Sequence, residues 1–181
     1  MQSKWIEKAA TEEMDSQGAL PLIEVSASVT LSITGQVKTL CVGCGDGTEM
    51  GFFKDVEGID LNEASLDKCL DKGCKVAKMD MHDMSYPDNS FDLVFARDSF
   101  EHSESPIQVL SEMARVTKKY ISITLPDQSW DISDWHYLIP TLRQMIAMGD
   151  KVGLNLRSYK EFNRILGAQF VTQHLYIFEK R

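Results

Sequence analysis

Three glycines at alternate positions, Gly43, Gly45 and Gly47, form the stretch whose spacing most directly indicates chemistry. They follow the apolar run 38–42, which is typical of a buried strand. Because glycine has no Cβ atom, such a turn can bring backbone N–H groups and a helix start close to a small polar ligand. The turn alone does not distinguish a dinucleotide from other ligands of that kind.

Carboxylates follow at later strand ends. Asp60 and Asp80 end the apolar runs 56–60 and 75–80, and Asp98 follows a further run. In parallel sheets, ligands bind outside the carboxyl ends of the strands, where the strand order reverses. Asp60 is well placed there to accept two hydrogen bonds from a ribose diol, and charge-assisted bonds are roughly twice as strong as neutral ones.

The elements that position these residues alternate between strands and helices. Short apolar runs predict strands, and segments with apolar residues at helical spacing predict crossover helices between them. The predicted strands are residues 38–42, 56–60, 75–80, 91–96 and 120–125, and the predicted crossover helices are residues 62–72 and 106–117. This alternation predicts an α/β fold with a doubly wound, mostly parallel sheet.

The N-terminal part is harder to interpret. Residues 3–14 have the composition of an amphipathic helix. Residues 20–34 alternate apolar with hydroxyl side chains, and this periodicity favours a strand. Pro21 and Gly35, however, stand where a helix would begin and end.

The C-terminal part predicts helices and a closing strand. We expect helices over about 137–148 and 158–166 and a last strand over 169–179. Residues 152–156 could supply another strand, so the sheet is expected to have six or seven strands.

Composition restricts the class of partner. The chain of 181 residues fits one domain with a sizeable core, and its net charge of −8 repels the phosphate backbone of nucleic acid. No apolar run is long enough to span a bilayer, and the N-terminus lacks the features of a signal peptide. We therefore expect a cytoplasmic protein with a small-molecule partner and no nucleic-acid or membrane partner.

The four cysteines are Cys41, Cys44, Cys69 and Cys74. We interpret them as reduced, buried thiols. The alternative is a zinc site made from two pairs, but the predicted elements place these thiols in a strand, a turn and a helix, which is unpromising for tetrahedral ligation. No metal site is predicted.

Several motifs in order resemble those of the class I S-adenosylmethionine-dependent methyltransferases, over about residues 37–126. The motifs are Leu-Cys-Val-Gly-Cys-Gly-Asp-Gly (40–47), Gly-Ile-Asp-Leu (58–61), Met-Asp-Met-His-Asp-Met (79–84), Tyr-Pro-Asp-Asn-Ser-Phe-Asp-Leu-Val (86–94), Phe-Glu-His (100–102) and Met-Ala-Arg-Val (113–116). The resemblance implies a Rossmann-like single domain with an N-terminal cap (1–36), a cofactor-binding core (37–126) and a lid and C-terminal strand region (127–181).

The resemblance also implies a role for individual residues in binding S-adenosylmethionine. The turn 43–47, which includes Cys44, would lie against the methionine part of the cofactor. Asp60 would bind the ribose hydroxyls, with Leu61 beside the adenine. The alternative for Asp60 is a helix cap.

Further contacts are implied at the next strand ends. Asp80 would accept a hydrogen bond from the adenine amino group, and the Met81 main chain, followed by His82, would meet the ring edge. The backbone around Arg97 would approach the cofactor's amino group. Asp80 could instead cap a helix, and Met81 could belong to the core.

Methyl transfer needs a base only where the acceptor atom carries a proton. Asp98, Glu101 and His102, after the fourth strand, are the candidates, together with His136. His102 has the best position, although a histidine there is as often structural. The aromatic residues after the fifth strand could form a lid or belong to the core; these are Trp130, Trp135 and Tyr137.

Two features depart from the family pattern and keep other functions open. Cys41 stands where the family usually has an acidic residue, and together with the lack of an evident base this leaves open a non-catalytic S-adenosylmethionine-binding or scaffolding protein as one alternative. A nicotinamide-dependent oxidoreductase is the other, but its fingerprint requires a third glycine three residues after Gly45, where Thr48 stands. The C-terminal part also has length for only one clear strand beyond Gly167.

Overall fold

The computed structural model describes residues 20–128, 136–166 and 169–181. Within these ranges one sheet of seven strands is flanked by helices. The strands are β1 (Thr39–Val42), β2 (Val56–Asp60), β3 (Val76–Lys78), β4 (Phe91–Arg97), β5 (Thr117–Pro126), β6 (Leu154–Leu166) and β7 (Gln169–Lys180). The helices are α1 (Leu20–Thr34), α2 (Glu63–Asp71), α3 (Pro106–Val116) and α4 (Leu142–Lys151), with 3₁₀ segments at Thr48–Phe52 and Phe100–His102.

The strand order is β3-β2-β1-β4-β5-β7-β6. The first five strands are parallel to one another, and β7 pairs antiparallel with both β5 and β6. From β1 the chain moves outward through β2 to β3 and then returns to β4 on the other side of β1. The predicted doubly wound, mostly parallel α/β fold is confirmed, and the strand order reverses between β1 and β4.

The core lies on both faces of this sheet, because alternate residues of each strand point to opposite faces. Leu40 and Val42 of β1 belong to the larger cluster, which contains α3 and α4, whereas Cys41 belongs to the cluster beneath α1 and α2. The central strands are thus buried on both sides, as their nearly continuous apolar runs predict.

Residues 20–34 form a helix, so the expectation of a strand was wrong. The hydroxyl groups that produced the alternating pattern bond back to carbonyls one turn earlier: Ser26 donates to Ile23 at 3.0 Å and Thr30 to Ser26 at 2.8 Å. Gly35 ends the helix at a φ angle of 70°, and its N–H donates to the Leu31 carbonyl.

Residues 158–166 belong to β6, so the helix predicted there was also wrong. Tyr159 and Phe162 stand at helical spacing in the sequence, but residues 158–166 pair with β7 in one continuous register, after a shift between Leu156 and Ser158. The long pairing with β7 supplies the backbone hydrogen bonds that decide the conformation. The strand that the sequence placed at 152–156 is the beginning of this longer β6.

The helix predicted from residue 137 begins later, at Leu142. Thr141 caps it, since its hydroxyl accepts from the Gln144 N–H and the Gln144 side chain accepts from the Thr141 N–H. The helix predicted at 3–14 lies outside the described residues. None of the helices in the described ranges is long and apolar enough to cross a membrane.

Candidate active site

The carboxyl ends of β1 and β4, where the strand order reverses, are the centre of the candidate site. Gly43 there has a φ angle of 68°, and a Cβ atom on it would lie 2.4 Å from the Ser99 Cβ. Ser99 is itself fixed, because its hydroxyl donates to the Val42 carbonyl at 3.0 Å. Only glycine fits at position 43, because Ser99 fills the space that a Cβ atom would occupy.

The Asp60 carboxylate ties the glycine turn to the end of β2. Its Oδ2 accepts from the Gly45 N–H and its Oδ1 from the Asn62 N–H, both at 2.9 Å. These bonds fix the carboxylate orientation. Each oxygen keeps a further lone pair, and Asp60 is only partly buried, so the group can accept hydrogen bonds from a diol.

The cysteines pack behind the same turn. Cys41, Cys44 and Cys69 are buried, Cys74 is partly buried, and all four are free thiols, as expected. Cys69 donates to the Gly45 carbonyl at 3.2 Å, and burial raises the pKa of Cys41 well above its usual value. Among the described residues the four thiols do not form a group compact enough to hold one metal ion.

The loop after β3 is braced by His82. Its backbone N–H and its Nδ1 both lie within hydrogen-bond distance of Asp80 Oδ1, at 2.8 and 2.7 Å. Its Nε2 lies 2.8 Å from the Ser103 hydroxyl. Leu61 and Met81 are partly buried, and Met81 packs against the larger core cluster. The predicted adenine-site residues therefore follow adjacent parallel strands at one edge of the sheet.

Arg97 lies in a buried charge network that the sequence did not predict. Its Nε donates to Glu49 Oε2 at 3.2 Å, and its Nη1 bonds the Asp98 carboxylate. Burial raises the pKa of Glu49 to about 7. Asp98 also accepts from the Gln173 amide at 2.7 and 2.9 Å, so its carboxylate links the end of β4 to β7 across the intervening strand β5.

The other two predicted catalytic residues meet a third side chain. Glu101, His102 and His136 each offer one ligand atom, and these atoms lie within 4.8 Å of one another. Glu101 is 1% exposed, and burial raises the pKa of its carboxyl well above its usual range. Tyr137, in contrast, is 43% exposed, and its hydroxyl donates to Glu104; Trp130 and Trp135 lie outside the described residues.

The predicted residues thus gather at the carboxyl edge of β1 to β4. Sequence reasoning missed Glu49, which holds Arg97 in place, and Ser99, which holds the turn. It also missed Gln173, which holds Asp98 in place. A charged residue directly after the glycine turn was a signal for Glu49. The other two carry no local signal, because their partners are distant in sequence.

Residues 40–120 match the family model described as a methyltransferase domain. The chain is 30% identical over 118 residues to sterol 24-C-methyltransferase erg-4 of Neurospora crassa, covering 58% of this chain and 29% of that protein. It is 28% identical over 138 residues to the ubiquinone/menaquinone biosynthesis C-methyltransferase UbiE of Burkholderia cenocepacia, covering 69% of this chain and 57% of the relative. The chain therefore spans less than a third of the length of the first relative and little more than half the length of the second.

The fold is similar to that of magnesium protoporphyrin IX methyltransferase from Synechocystis PCC 6803, solved with bound S-adenosylhomocysteine. The TM-score is 0.71 at 11% identity, covering 100% of this chain and 90% of that one. The strand order, the glycine turn and the methyltransferase-domain match over residues 40–120 make this chain similar to the S-adenosylmethionine-dependent methyltransferases.

Proposed function

We propose that the protein transfers a methyl group from S-adenosylmethionine to a small-molecule acceptor. The observation that carries this proposal is the Asp60 carboxylate, which the Gly45 and Asn62 N–H groups hold at the end of β2, beside the glycine turn. A fixed carboxylate in that position suits a ribose diol. At Gly45 no atom lies within 4 Å of an added Cβ, and this open side of the turn suits the amino-acid part of the same cofactor.

The neighbouring strand ends complete the proposed cofactor site. Leu61 and Met81 would contact the adenine ring, while Asp80, held by His82, would accept from its amino group. The backbone before Arg97 would approach the cofactor's amino group. The guanidinium of Arg97 points into the network with Glu49 and Asp98, so its role is to stabilise this edge of the sheet.

The chemistry needs positioning more than it needs acid or base groups. Bound S-adenosylmethionine supplies a methyl group that is already electrophilic, and an in-line displacement is accelerated mainly by holding the acceptor in place. Asp98 is committed to Arg97 and Gln173, and burial favours the neutral form of Glu101. The imidazoles of His102 and His136 are the other candidate groups for accepting a proton or binding a cation.

A small molecule is the proposed acceptor class. The net charge of −8 disfavours nucleic acid. The relatives named above are methyltransferases of sterol and quinone biosynthesis, which supports the same class.

The first test is ligand-dependent stability. S-adenosylmethionine or S-adenosylhomocysteine at about 100 times its dissociation constant should raise the unfolding free energy by about 2.7 kcal/mol, seen as a higher melting temperature. NADH under the same conditions is the control and should give no shift. No rise with either sulfur compound would overturn the cofactor assignment. Transfer of a labelled methyl group over a panel of acceptors then tests the activity.

The non-catalytic alternative has one specific observation in its favour. Cys41, at the position where the family usually has an acidic residue, is fully buried in an apolar cluster. Tight binding of S-adenosylhomocysteine without transfer to any acceptor would support it. An oxidoreductase is disfavoured because the turn leads into the short 3₁₀ segment Thr48–Phe52, whereas the dinucleotide fingerprint opens an α-helix.

A further inference from the structure

Glu101, His102 and His136 form a compact cluster next to the proposed cofactor site. One ligand atom from each lies within 4.8 Å of the other two. Glu101 and His102 belong to the 3₁₀ segment after β4, and His136 precedes α4. Backbone bonds join the two segments, since the Tyr137 and Leu138 N–H groups approach the Glu101 carbonyl at 3.0 and 3.5 Å.

The Glu101 side chain needs a compensating group. Glu101 is 1% exposed, and its Oε2 makes no hydrogen bond within the described part of the chain. A buried polar atom without a partner costs free energy, and buried carboxylates are normally paired with cations or metal ions. The nearby guanidinium of Arg97 is already bonded to Glu49 and Asp98.

We infer that Glu101, His102 and His136 bind one divalent transition-metal ion. A carboxylate with two imidazoles is the ligand set found in catalytic zinc sites and in non-haem iron sites, whereas magnesium and calcium prefer oxygen ligands alone. Three protein ligands leave coordination positions open for water or for an oxygen of a substrate. Zn²⁺, Mn²⁺ and Fe²⁺ all fit this chemistry.

The position of the site indicates what the metal ion would do. Ser99, two residues before Glu101, packs directly against Gly43 of the cofactor turn. An ion beside these strand ends would bind an acceptor hydroxyl and lower its pKa, so that its proton passes to solvent water. The oxygen would then form a bond to the methyl carbon as the bond from that carbon to the cofactor sulfur breaks. This role rests on the proposed methyl transfer and narrows the acceptor to a compound with a metal-binding oxygen. Metal binding itself does not depend on it.

The test is a titration of the metal-free full-length chain with Co²⁺, without S-adenosylmethionine. We expect one bound equivalent with visible d–d absorption and without the intense thiolate charge-transfer band that cysteine ligands would give. Glu101→Gln and His136→Gln should each weaken binding by about tenfold or more, since even the outer partners of metal ligands are worth 10–100-fold. His174→Gln is the matched control, because that imidazole pairs with Asp127 and Tyr159 in the chain.

Three results would overturn the inference: no stoichiometric binding, a thiolate band, or equal loss in the His174 control. Circular dichroism of each variant checks folding. If Glu101→Gln fails to fold, His136→Gln, at a partly buried position, still tests the site. S-adenosylhomocysteine binding is measured on the same preparations. If the chain binds S-adenosylhomocysteine but not Co²⁺, the metal site is overturned. If it binds Co²⁺ but not S-adenosylhomocysteine, the proposed function is overturned.

Discussion

The Asp60 carboxylate accepts a hydrogen bond from the Gly45 N–H at 2.9 Å, across fifteen residues of chain. One side chain therefore fixes the shape of the glycine turn and presents oxygen atoms to the proposed ribose position. Loss of this carboxylate would affect both functions at once.

Asp60→Ala should lower the affinity for S-adenosylhomocysteine by about tenfold or more, because hydrogen bonds to a charged group contribute roughly 1.5–3 kcal/mol each. Isothermal titration calorimetry measures the change. His102→Ala should have a smaller effect, and Asp67→Ala, on the exposed face of α2, should have none. A larger loss in the His102 variant than in the Asp60 variant would show that the ribose assignment is mistaken.

Gly43→Ala should destabilise the protein by about 2–4 kcal/mol, since the new Cβ would lie 2.4 Å from the Ser99 Cβ and the φ angle is 68°. Gly35→Ala is the matched control. Gly35 has a φ angle of 70° but no atom within 4 Å of the added Cβ, so only the backbone cost of about 1 kcal/mol applies. Urea denaturation compares the two. Equal losses would contradict the close packing of Gly43 on Ser99.

Glu49→Gln should flatten the pH dependence of stability between about pH 4.5 and 7. Burial raises the pKa of Glu49 from 4.5 to about 7, so the folded state holds this proton more tightly than the unfolded state. The resulting stabilisation is complete below pH 4.5 and is lost as the pH rises through 7, a change on the order of 3 kcal/mol.

Urea denaturation at several pH values between 4 and 8 measures this slope for wild type and Glu49→Gln. Glu24→Gln, at an exposed position of α1, is the control and should keep the wild-type slope. An unchanged slope in the Glu49 variant would show that Arg97 compensates the buried carboxylate more fully than burial penalises it.

The central strands and the glycine turn could be predicted because their signals are local. Strand β2 (Val56–Asp60) was predicted with its observed bounds, since a short apolar run between polar turns has few other uses. The cofactor contacts of Asp60 and Asp80 remain predictions, although both residues lie at the edge of the sheet where the sequence placed them.

Elements at the ends of the chain could not be predicted from local pattern. In α1 (Leu20–Thr34) the hydroxyl groups that suggested a strand bond within the helix, and Thr30 also pairs with Ser122 of β5 at 2.8 Å. In β6 (Leu154–Leu166) residues 158–166, predicted as a helix, pair with β7 without interruption. Tertiary pairing decided both cases, because it supplies the hydrogen bonds and buried surface that local propensity leaves open.

The type of fold, the glycine turn and the carboxylates that follow the strands could be read from the amino-acid order, because each depends on residues close together in the chain. The bond that holds Asp98 to Gln173, 75 residues away, and the meeting of His136 with Glu101 are visible only in the folded chain. Such contacts depend on which strands and loops become neighbours. That is set by the packing of the whole sheet, and no spacing within the sequence encodes it.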